Sequence, residues 1–528
     1  MDRRSVLKGV GLAAATLAAP AQVRAQRQTT LRFIPQIDLV YLDPVYTTPY
    51  VTRNHGFLVW DTLYGVDSSF KAQPQMVEGH TVEADGTLWN LKLRDGLLWH
   101  DGEKVLARDC VASIRRWARR DPFGGTLLAT TDELSAPDDR TIRFRLKRPF
   151  PLLPDALGKV PSPFCAMMPE RIANTDPFQQ ITEIVGSGPF RFLSSERVPG
   201  ARNVYAKFEK YKPREGGTPD WTAGPKVVHY DRVEWTTMPD VSTGTAALQA
   251  GEQDWMEYAN HEMLGLLRRA RGVKVDVLDP TGMVTMLRVN HLQPPFNNPA
   301  IRRALWPGLD QPSYMQALVG SDTALYQTPL GYFAPGTPMA SEVGFDRLTT
   351  PRDMGKVRQA LKEAGYNNEK VVLMVPADSA SLKSQGDVAA DMLKQAGMNV
   401  DYLALDWGTM LTRRNRKDAA EAGGWNAFVT SWAGTDWLNP AVHIALRGTG
   451  EAGYAGWSSS PRTEALRDAW FTAPDLAAQQ AICRDIQATA FEEVPFYPLG
   501  KYIQPTAYRT SITGVLKGIP MFWNVRPA

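Results

Sequence analysis

The sequence predicts an α/β protein with at least two lobes, and three observations support this. Its first half carries alternating strands closed by tight Asp-Gly turns, whereas its second half contains a strand-helix-strand unit. These patterns belong to different layer arrangements and favour separate lobes. The length of 528 residues leaves room for two to four domain-sized units. A composition of 43% hydrophobic and 22% charged residues is typical of globular proteins.

The first elements are short and rich in turns. "TTLRFIP" (29–35) predicts a strand, and "HGFLVWDTLYGVD" (55–67) predicts an apolar helix that ends in a turn. "TLWNLKLRDG" (87–96) alternates between two faces and closes on Asp-Gly, as a strand does. A second short run (97–100) also ends at Asp-Gly, so the two turns predict a small meander.

A helix pattern follows from Ala107. Apolar residues recur at spacings of three and four, while arginines occupy the other face, so we expect a half-buried helix with Arg115, Arg116 and Arg119 outward. "TIRFRL" (141–146) predicts another alternating strand, and the Gly- and Pro-rich tract at 211–227 predicts a loop.

The second half has a crossover pattern. Residues 353–366 predict an amphipathic helix stopped by Gly365. A buried strand at 370–377, a helix at 386–397 and a strand at 398–407 follow. A strand-helix-strand unit of this kind is expected to be parallel and right-handed.

The first 25 residues have the order of an export signal. Arg3 and Arg4 precede a mild Ala/Leu stretch, and small residues offer cleavage after Ala21 or Ala25. The arginine pair predicts a twin-arginine signal peptide, which makes the twin-arginine translocase a partner during export. The alternative is a short amphipathic helix of the mature protein.

Charge and cysteine content limit the classes of binding partner and the number of possible disulfides. The net charge of +3 lies wholly in residues 1–25, which hold four basic residues and one acidic residue, so the remainder is neutral. This balance does not point to nucleic acid or an anionic membrane, and no later stretch approaches the ~18 apolar residues of a membrane span. Cys110, Cys165 and Cys483 permit at most one intramolecular disulfide, whose partners stay open.

Motifs for catalysis, metals and cofactors are lacking. "GTGEAG" (448–453) fits a phosphate-loop pattern, but the "YAGWSSSP" that follows does not open a helix. The seven histidines show no metal-ligand spacing, and in the His100-Asp101 pair the aspartate precedes a turn glycine. We therefore predict no catalytic residue, no metal ligand and no cofactor, and keep an exported hydrolase as a minor alternative.

Two loops rich in polar and aromatic residues are the candidates for lining a ligand-binding site. One is "YTTPY" (46–50), and the other lies within "GGWNAFVTSWAGTDWLNPAVH" (423–443). Trp425 and Phe428 are expected to be strand core, whereas Trp432, Asp436 and Trp437 fit packing and ligand contact equally well. The candidate ligand-binding residues are Tyr46, Thr47, Tyr50, Met283, Trp432, Thr435, Asp436, Trp437 and Asn439.

Several motifs together resemble one known family. "LRDGLLWHDGEKVLARDCV" (93–111) is similar to the family pattern LRDGxxFHDGxxxTAxDV, and "VGSGPFRF" (185–192) to its G-T-G-P-Y segment. Further matches follow in family order at 230–254, 287–305 and 356–366. From about residue 30 to 505 the chain thus resembles the extracytoplasmic solute-binding proteins of the peptide/nickel ABC-transporter family (family 5).

The resemblance implies an α/β, two-lobed periplasmic binding protein clamshell with an extra small domain inserted in the first lobe. After the signal peptide (1–25), the first lobe is expected to comprise 27–57, 186–283 and 500–528. The inserted domain would be 58–185 and the second lobe 284–499.

The resemblance also implies function. We expect a monomeric periplasmic protein that catalyses nothing, captures a peptide or similar small organic solute, and delivers it to an ABC permease with its ATPase subunits. In several family members an Asp after a Trp-containing segment holds the peptide amine, and Asp436 is the acid available here, although its spacing from Trp432 differs from the usual. A nickel chelate, haem, an opine or an oligosaccharide remains the alternative cargo.

Overall fold

The computed structural model describes residues 29–83 and 85–528; the signal peptide predicted at 1–25 lies outside the described residues. The described strands, in chain order, are β1 (Thr30–Ile34), β2 (Tyr64–Val66), β3 (Ala72–Pro74), β4 (Val77–Val82), β5 (Leu88–Leu93), β6 (Thr131–Ser135), β7 (Thr141–Leu146), β8 (Phe190–Phe192), β9 (Arg202–Lys207), β10 (Arg232–Thr236), β11 (Trp255–Met256), β12 (Val273–Asp276), β13 (Met283–Val289), β14 (Tyr326–Gln327), β15 (Lys370–Pro376), β16 (Asn399–Leu405), β17 (Ala427–Ala433), β18 (Phe496–Tyr502), β19 (Thr506–Arg509), β20 (Ile512–Thr513) and β21 (Arg526–Pro527).

The α-helices lie between these strands. In chain order they are α1 (Tyr50–Val59), α2 (Ala107–Ala118), α3 (Pro122–Thr130), α4 (Leu153–Gly158), α5 (Glu170–Ala173), α6 (Val241–Ala250), α7 (Leu264–Arg269), α8 (Pro299–Ala304), α9 (Gln311–Val319), α10 (Asp346–Thr349), α11 (Met354–Glu363), α12 (Ala380–Gln395), α13 (Trp407–Arg413), α14 (Pro461–Phe471) and α15 (Leu476–Glu493). No helix in the described part of the chain is long and apolar enough to cross a membrane.

Three sheets organise the molecule. A seven-stranded sheet has the order β12-β19-β11-β1-β10-β9-β8, and a six-stranded sheet has the order β14-β18-β13-β17-β15-β16. A four-stranded antiparallel sheet, β4-β5-β7-β6, carries α2 on its side. The seven-stranded sheet draws strands from the start, middle and end of the chain, so the chain leaves this sheet and returns to it.

The chain passes between the two large sheets twice. It goes from β12 to β13 through residues 277–282, and it returns from β18 to β19 through residues 503–505. Two short crossing segments side by side are the arrangement that permits hinge motion between lobes.

The strand-helix-strand prediction in the second half is confirmed. β15 and β16 pair in parallel from Lys370↔Asn399 to Pro376↔Leu405, and α12 connects them. Leu382, Ala389 and Leu393 of α12 are buried on the sheet side, which is the apolar face that a crossover helix needs. The helix begins six residues earlier than the sequence pattern predicts.

The predicted helix over 55–67 is wrong in its limits. α1 begins at Tyr50 and ends at Val59, and residues 64–66 form β2. Pro49 precedes the helix and gives no side-chain cap, so the start carries no polar signal in the sequence. Nine of its ten residues are buried, which explains why the apolar pattern looked continuous with the next segment.

The prediction that Arg116 faces outward is also wrong. Its guanidinium is buried and donates to both carboxylate oxygens of Asp43, at 3.2 and 2.7 Å. Asp43 precedes α1, so this ion pair fastens α2 of the four-stranded unit to the segment that leads into α1. Such a buried bidentate pair fixes geometry because removing either partner leaves an unpaired charge.

The loop at 211–227 is anchored rather than free. Lys226 and Asp61 are both buried and form an ion pair of 2.7 Å, and Tyr211 donates to the second oxygen of Asp61 at 2.9 Å. Trp221 and Thr222 are buried as well. The last part of the loop, residues 221–226, is therefore packed next to the end of α1, whereas residues 215–218 are exposed.

Candidate functional site

Tyr50 makes a side-chain contact between the two candidate loops. Its hydroxyl donates to a carboxylate oxygen of Asp436 and accepts the backbone N–H of Ala433 at 2.7 Å. Tyr50 opens α1, whereas Ala433 ends β17 in the six-stranded sheet. The partners are 386 and 383 residues away from Tyr50 in the chain, so this contact joins the helix that follows β1 of the seven-stranded sheet to the end of β17 in the six-stranded sheet.

Asp436 is a half-buried carboxyl group in the turn Gly434–Trp437. Burial raises its pKa, while the hydrogen bond from Tyr50 and the positive charge of Arg53 offset part of that rise. Burial and the adjacent Asp436 raise the pKa of Tyr50 well above its ordinary value, so the phenol keeps its proton and acts as donor.

The partner of this carboxyl is thus a neutral phenol. Within residues 29–83 and 85–528, Asp436 forms no ion pair with lysine or arginine. A cationic amine brought to Asp436 would gain a charge-assisted hydrogen bond that the phenol does not supply.

Two further acids, Glu257 and Asp279, lie near Arg53. Glu257 follows β11 directly and accepts hydrogen bonds from the backbone N–H of Gln36 and from Asn54 Nδ2, both at 2.8 Å. Burial raises the pKa of Glu257 to about 7. Gln36 and Glu257 stand beyond the carboxyl ends of the parallel strands β1 and β11, the position at which α/β sheets bind ligands.

Asp279 lies in the first crossing segment. Its carboxylate accepts the backbone N–H of Thr281 at 2.8 Å, and burial raises its pKa. The positive charge of Arg53 acts on Glu257, Asp279 and Asp436 alike, which places these three acids around one guanidinium.

Two cavities lie away from this cluster. One of about 550 Å³ borders α2, where Arg116 is engaged by Asp43 and Arg115 donates to the carbonyl of Leu134 at 2.7 Å. The other, of about 230 Å³, borders α8 and residues 458–460. Neither includes the segments that meet at Tyr50, and the first is lined by arginines that already have protein partners.

Comparison with known proteins gives the family. Residues 71–454 match the bacterial extracellular solute-binding proteins, family 5 middle. The chain belongs to this family. One relative, the probable peptide ABC transporter periplasmic-binding protein of Sinorhizobium fredii, is 36% identical over 544 residues that cover 100% of both chains.

Solved structures share the fold of this chain. The dipeptide-binding protein from Pseudoalteromonas sp. in complex with Met-Leu has a TM-score of 0.79 at 17% identity, covering 94% of this chain and 100% of that one. The periplasmic binding protein AgaA from A. tumefaciens in complex with agropinic acid has a TM-score of 0.77 at 20% identity, covering 94% and 99%. The predicted α/β, two-lobed binding-protein fold is confirmed.

Several of the predicted ligand-binding residues of this chain lie around the Tyr50 contact. Met283 opens β13 and pairs with Ala433, so it lies beside the contact. Thr435 is buried next to Asp436, and its hydroxyl has no hydrogen-bond partner within the described protein. Trp432, half-buried, turns the edge of its ring toward Tyr454, with centroids 5.1 Å apart.

Other predicted residues have structural partners. The Asn439 side-chain oxygen accepts the backbone N–H groups of Ala441 and Val442, as in a turn cap. Trp437 is fully buried and stacks on the ring of His443 at 4.8 Å. The positions of these two side chains are those of packing groups beneath the contact.

Tyr46 and Thr47 lie at the other end of their loop. The carbonyl of Tyr46 accepts from Arg120 at 2.7 Å, and the guanidinium of Arg120 lies 5.7 Å from the Tyr46 ring centroid. Tyr46 thus faces the unit that carries α2, while Thr47 is half-buried between it and Tyr50.

The His100 side chain forms hydrogen bonds with backbone groups. Its ring nitrogens contact the carbonyl of Gly188 at 3.0 Å and the N–H of Gly186 at 3.3 Å, and burial lowers its pKa to about 4. Asp101 accepts from Glu103 N in the predicted turn. The pair therefore holds the "VGSGPF" segment in place.

Sequence reasoning missed Arg53, Glu257 and Asp279. Arg53 lies next to the polar residues Thr52 and Asn54 in a helix that is almost wholly buried, and Glu257 follows a buried strand directly. Nothing in the sequence shows that Arg53 lies near the two acids, because it precedes them by more than 200 residues and the segments converge only through the sheet order.

Proposed function

We propose that this chain is the periplasmic substrate-binding component of an ABC importer and that it captures a peptide or a similar small organic solute bearing an amine. The observation that carries the proposal is Asp436, a half-buried carboxyl that has no cationic partner among the described residues and lies where the two large sheets come into contact through Tyr50. The family and the peptide-transporter name of the Sinorhizobium fredii relative support the same cargo class. The agropinic acid complex shows that this fold also holds other solutes, so the fold alone does not select a peptide.

Binding and release follow from the lobe geometry. In the open form Asp436 is accessible, and a solute amine pairs with it; closure through segments 277–282 and 503–505 then buries the solute. The contact of Tyr50 with Asp436 and Ala433 forms only when the lobes meet, so it stabilises the closed form that docks on the permease and its ATPase subunits. The protein itself catalyses no reaction in this scheme.

The domain division and the export route are part of the proposal. Sheet membership supports a first lobe from 27–57, 186–283 and 500–528 and a second lobe from 284–499, with 58–185 inserted, except that Met283 and residues 500–502 belong to strands of the six-stranded sheet. Residues 1–25 would direct a monomer to the periplasm through the twin-arginine translocase. Replacing both Arg3 and Arg4 by Lys should leave the protein in the cytoplasm, as cell fractionation would show.

An affinity comparison tests the cargo. The wild-type protein is incubated with a mixture of dipeptides and tripeptides, each with a free and with an acetylated amino terminus. The peptides that remain bound are identified and quantified by native mass spectrometry. We expect free amines to be retained at least tenfold better, because the ion pair with the half-buried carboxyl of Asp436 is lost on acetylation. Asp436→Asn should remove that preference.

The matched control is Asp468→Asn, which changes an exposed carboxyl on α14. It should bind as the wild type does. Equal retention of free and acetylated peptides by the wild type, or retention of none, would contradict the proposal.

A further inference from the structure

Arg53 is a buried cation whose hydrogen-bonding capacity is largely unused. The residue is 4% exposed, and its guanidinium lies over the ring of Tyr50, 4.6 Å from the centroid. Nε and Nη2 reach only Asn54 Oδ1, both at 3.4 Å, and Nη1 has no partner within the described protein. No carboxylate of the described residues lies within 4.0 Å of it.

Several other buried cations of this chain have close partners, although Arg467 on α14 also has an Nη2 without a partner among the described residues. Lys226 is paired with Asp61 at 2.7 Å, and Arg288 donates to backbone carbonyls at 2.7, 2.8 and 3.0 Å. A buried guanidinium normally needs such partners, because its charge has been taken out of water. A cation left without them at a ligand cleft points to a partner that arrives from outside.

The acids near Arg53 are already used by other donors. Glu257 is held by Gln36 and Asn54, and Asp279 by Thr281. Asp436 accepts from Tyr50. Since none of them forms an ion pair with Arg53, the guanidinium remains free to accept an added anion.

We propose that Arg53 is the anion receptor of the interlobe site and that the solute carries a carboxylate as well as an amine. This inference rests on the proposed function, in which Asp436 receives the amine. Tyr50 touches both charged groups, Asp436 through its hydroxyl and Arg53 through its ring face. The two receptors therefore contact the same tyrosine side chain, so one small zwitterion with an amine and a carboxylate, such as a dipeptide, can reach both.

The test varies the carboxyl end of the probe. Wild-type protein is offered an equimolar mixture of dipeptides and tripeptides with free amino termini, each as the free acid and as the C-terminal amide. We expect the free acids to be enriched at least tenfold among the retained peptides, because a charge-assisted hydrogen bond to a buried guanidinium is lost in the amide.

Three variants locate the effect. Arg53→Met keeps the length of the side chain without its charge and should bring the acid-to-amide ratio to about one. Arg53→Lys should keep part of the preference, and Arg462→Met, which changes an exposed arginine on α14, should keep all of it.

The outcomes separate the two proposals. If the wild type binds free-amine peptides but retains acids and amides equally, the role of Arg53 is refuted and the proposed function stands. If it binds no peptide in any form, the proposed function is refuted and the role of Arg53 with it. Should Arg53→Met fail to fold, as circular dichroism would reveal, the wild-type ratio and Arg53→Lys still decide.

Discussion

Removing the hydroxyl of Tyr50 should open the protein without weakening its lobes. Tyr50→Phe deletes one hydrogen bond to a carboxyl group and one from a backbone N–H, and both partners lie at or just after the end of β17 in the six-stranded sheet, which the proposed division places in the second lobe. Because these bonds exist only when the lobes meet, their loss acts on the equilibrium between open and closed forms. At about 1 kcal/mol for each net hydrogen bond, the shift is roughly 2 kcal/mol, or about thirtyfold toward the open form.

Small-angle X-ray scattering of the ligand-free protein measures this shift directly. The radius of gyration of Tyr50→Phe should exceed that of the wild type, whereas Tyr46→Phe, whose ring faces the α2 unit, should not differ. The midpoint of thermal unfolding should change little in both variants. A closed fraction that is unchanged in Tyr50→Phe, or a loss of stability with no change in shape, would refute the reasoning.

Three further predictions concern stability. Burial raises the pKa of Glu257 to about 7, above its ordinary 4.5. The protonated side chain therefore stabilises the folded protein at low pH, and this stabilisation is lost as pH rises through about 7. Glu257→Gln should flatten the pH dependence of the unfolding free energy by up to about 3 kcal/mol. Lys226→Met strands the buried Asp61 and should cost about 3–5 kcal/mol in urea unfolding, and a smaller loss in the double variant with Asp61→Leu would confirm the pair. Gly186→Ala would place a Cβ 2.0 Å from the Val59 carbonyl oxygen, so it should sharply lower the melting temperature, and an unchanged value would contradict the packing.

The elements that could be predicted are those whose signals are local. The spacing of apolar residues predicts α2 and the β15-α12-β16 unit, and the structure confirms both. α1 was placed too late because its first residue follows a proline that offers no cap, and its apolar face merges with β2. The outward position predicted for Arg116 failed because its partner, Asp43, lies 73 residues away.

The site follows the same rule. Both loops that meet at Tyr50 could be recognised by their aromatic and polar composition. The packing roles of Trp437 and the turn role of Asn439 depend on neighbours that composition does not reveal. Arg53 could not be assigned to the site from the sequence, because what distinguishes it is its lack of close hydrogen-bond partners in the folded structure.

The most direct test is a crystal structure of the wild-type protein with a retained peptide. We predict that the peptide lies between the lobes with its amino nitrogen at hydrogen-bond distance from an oxygen of Asp436. A peptide bound instead in the cavity beside α2, or one whose amino group contacts a residue other than Asp436, would contradict the account.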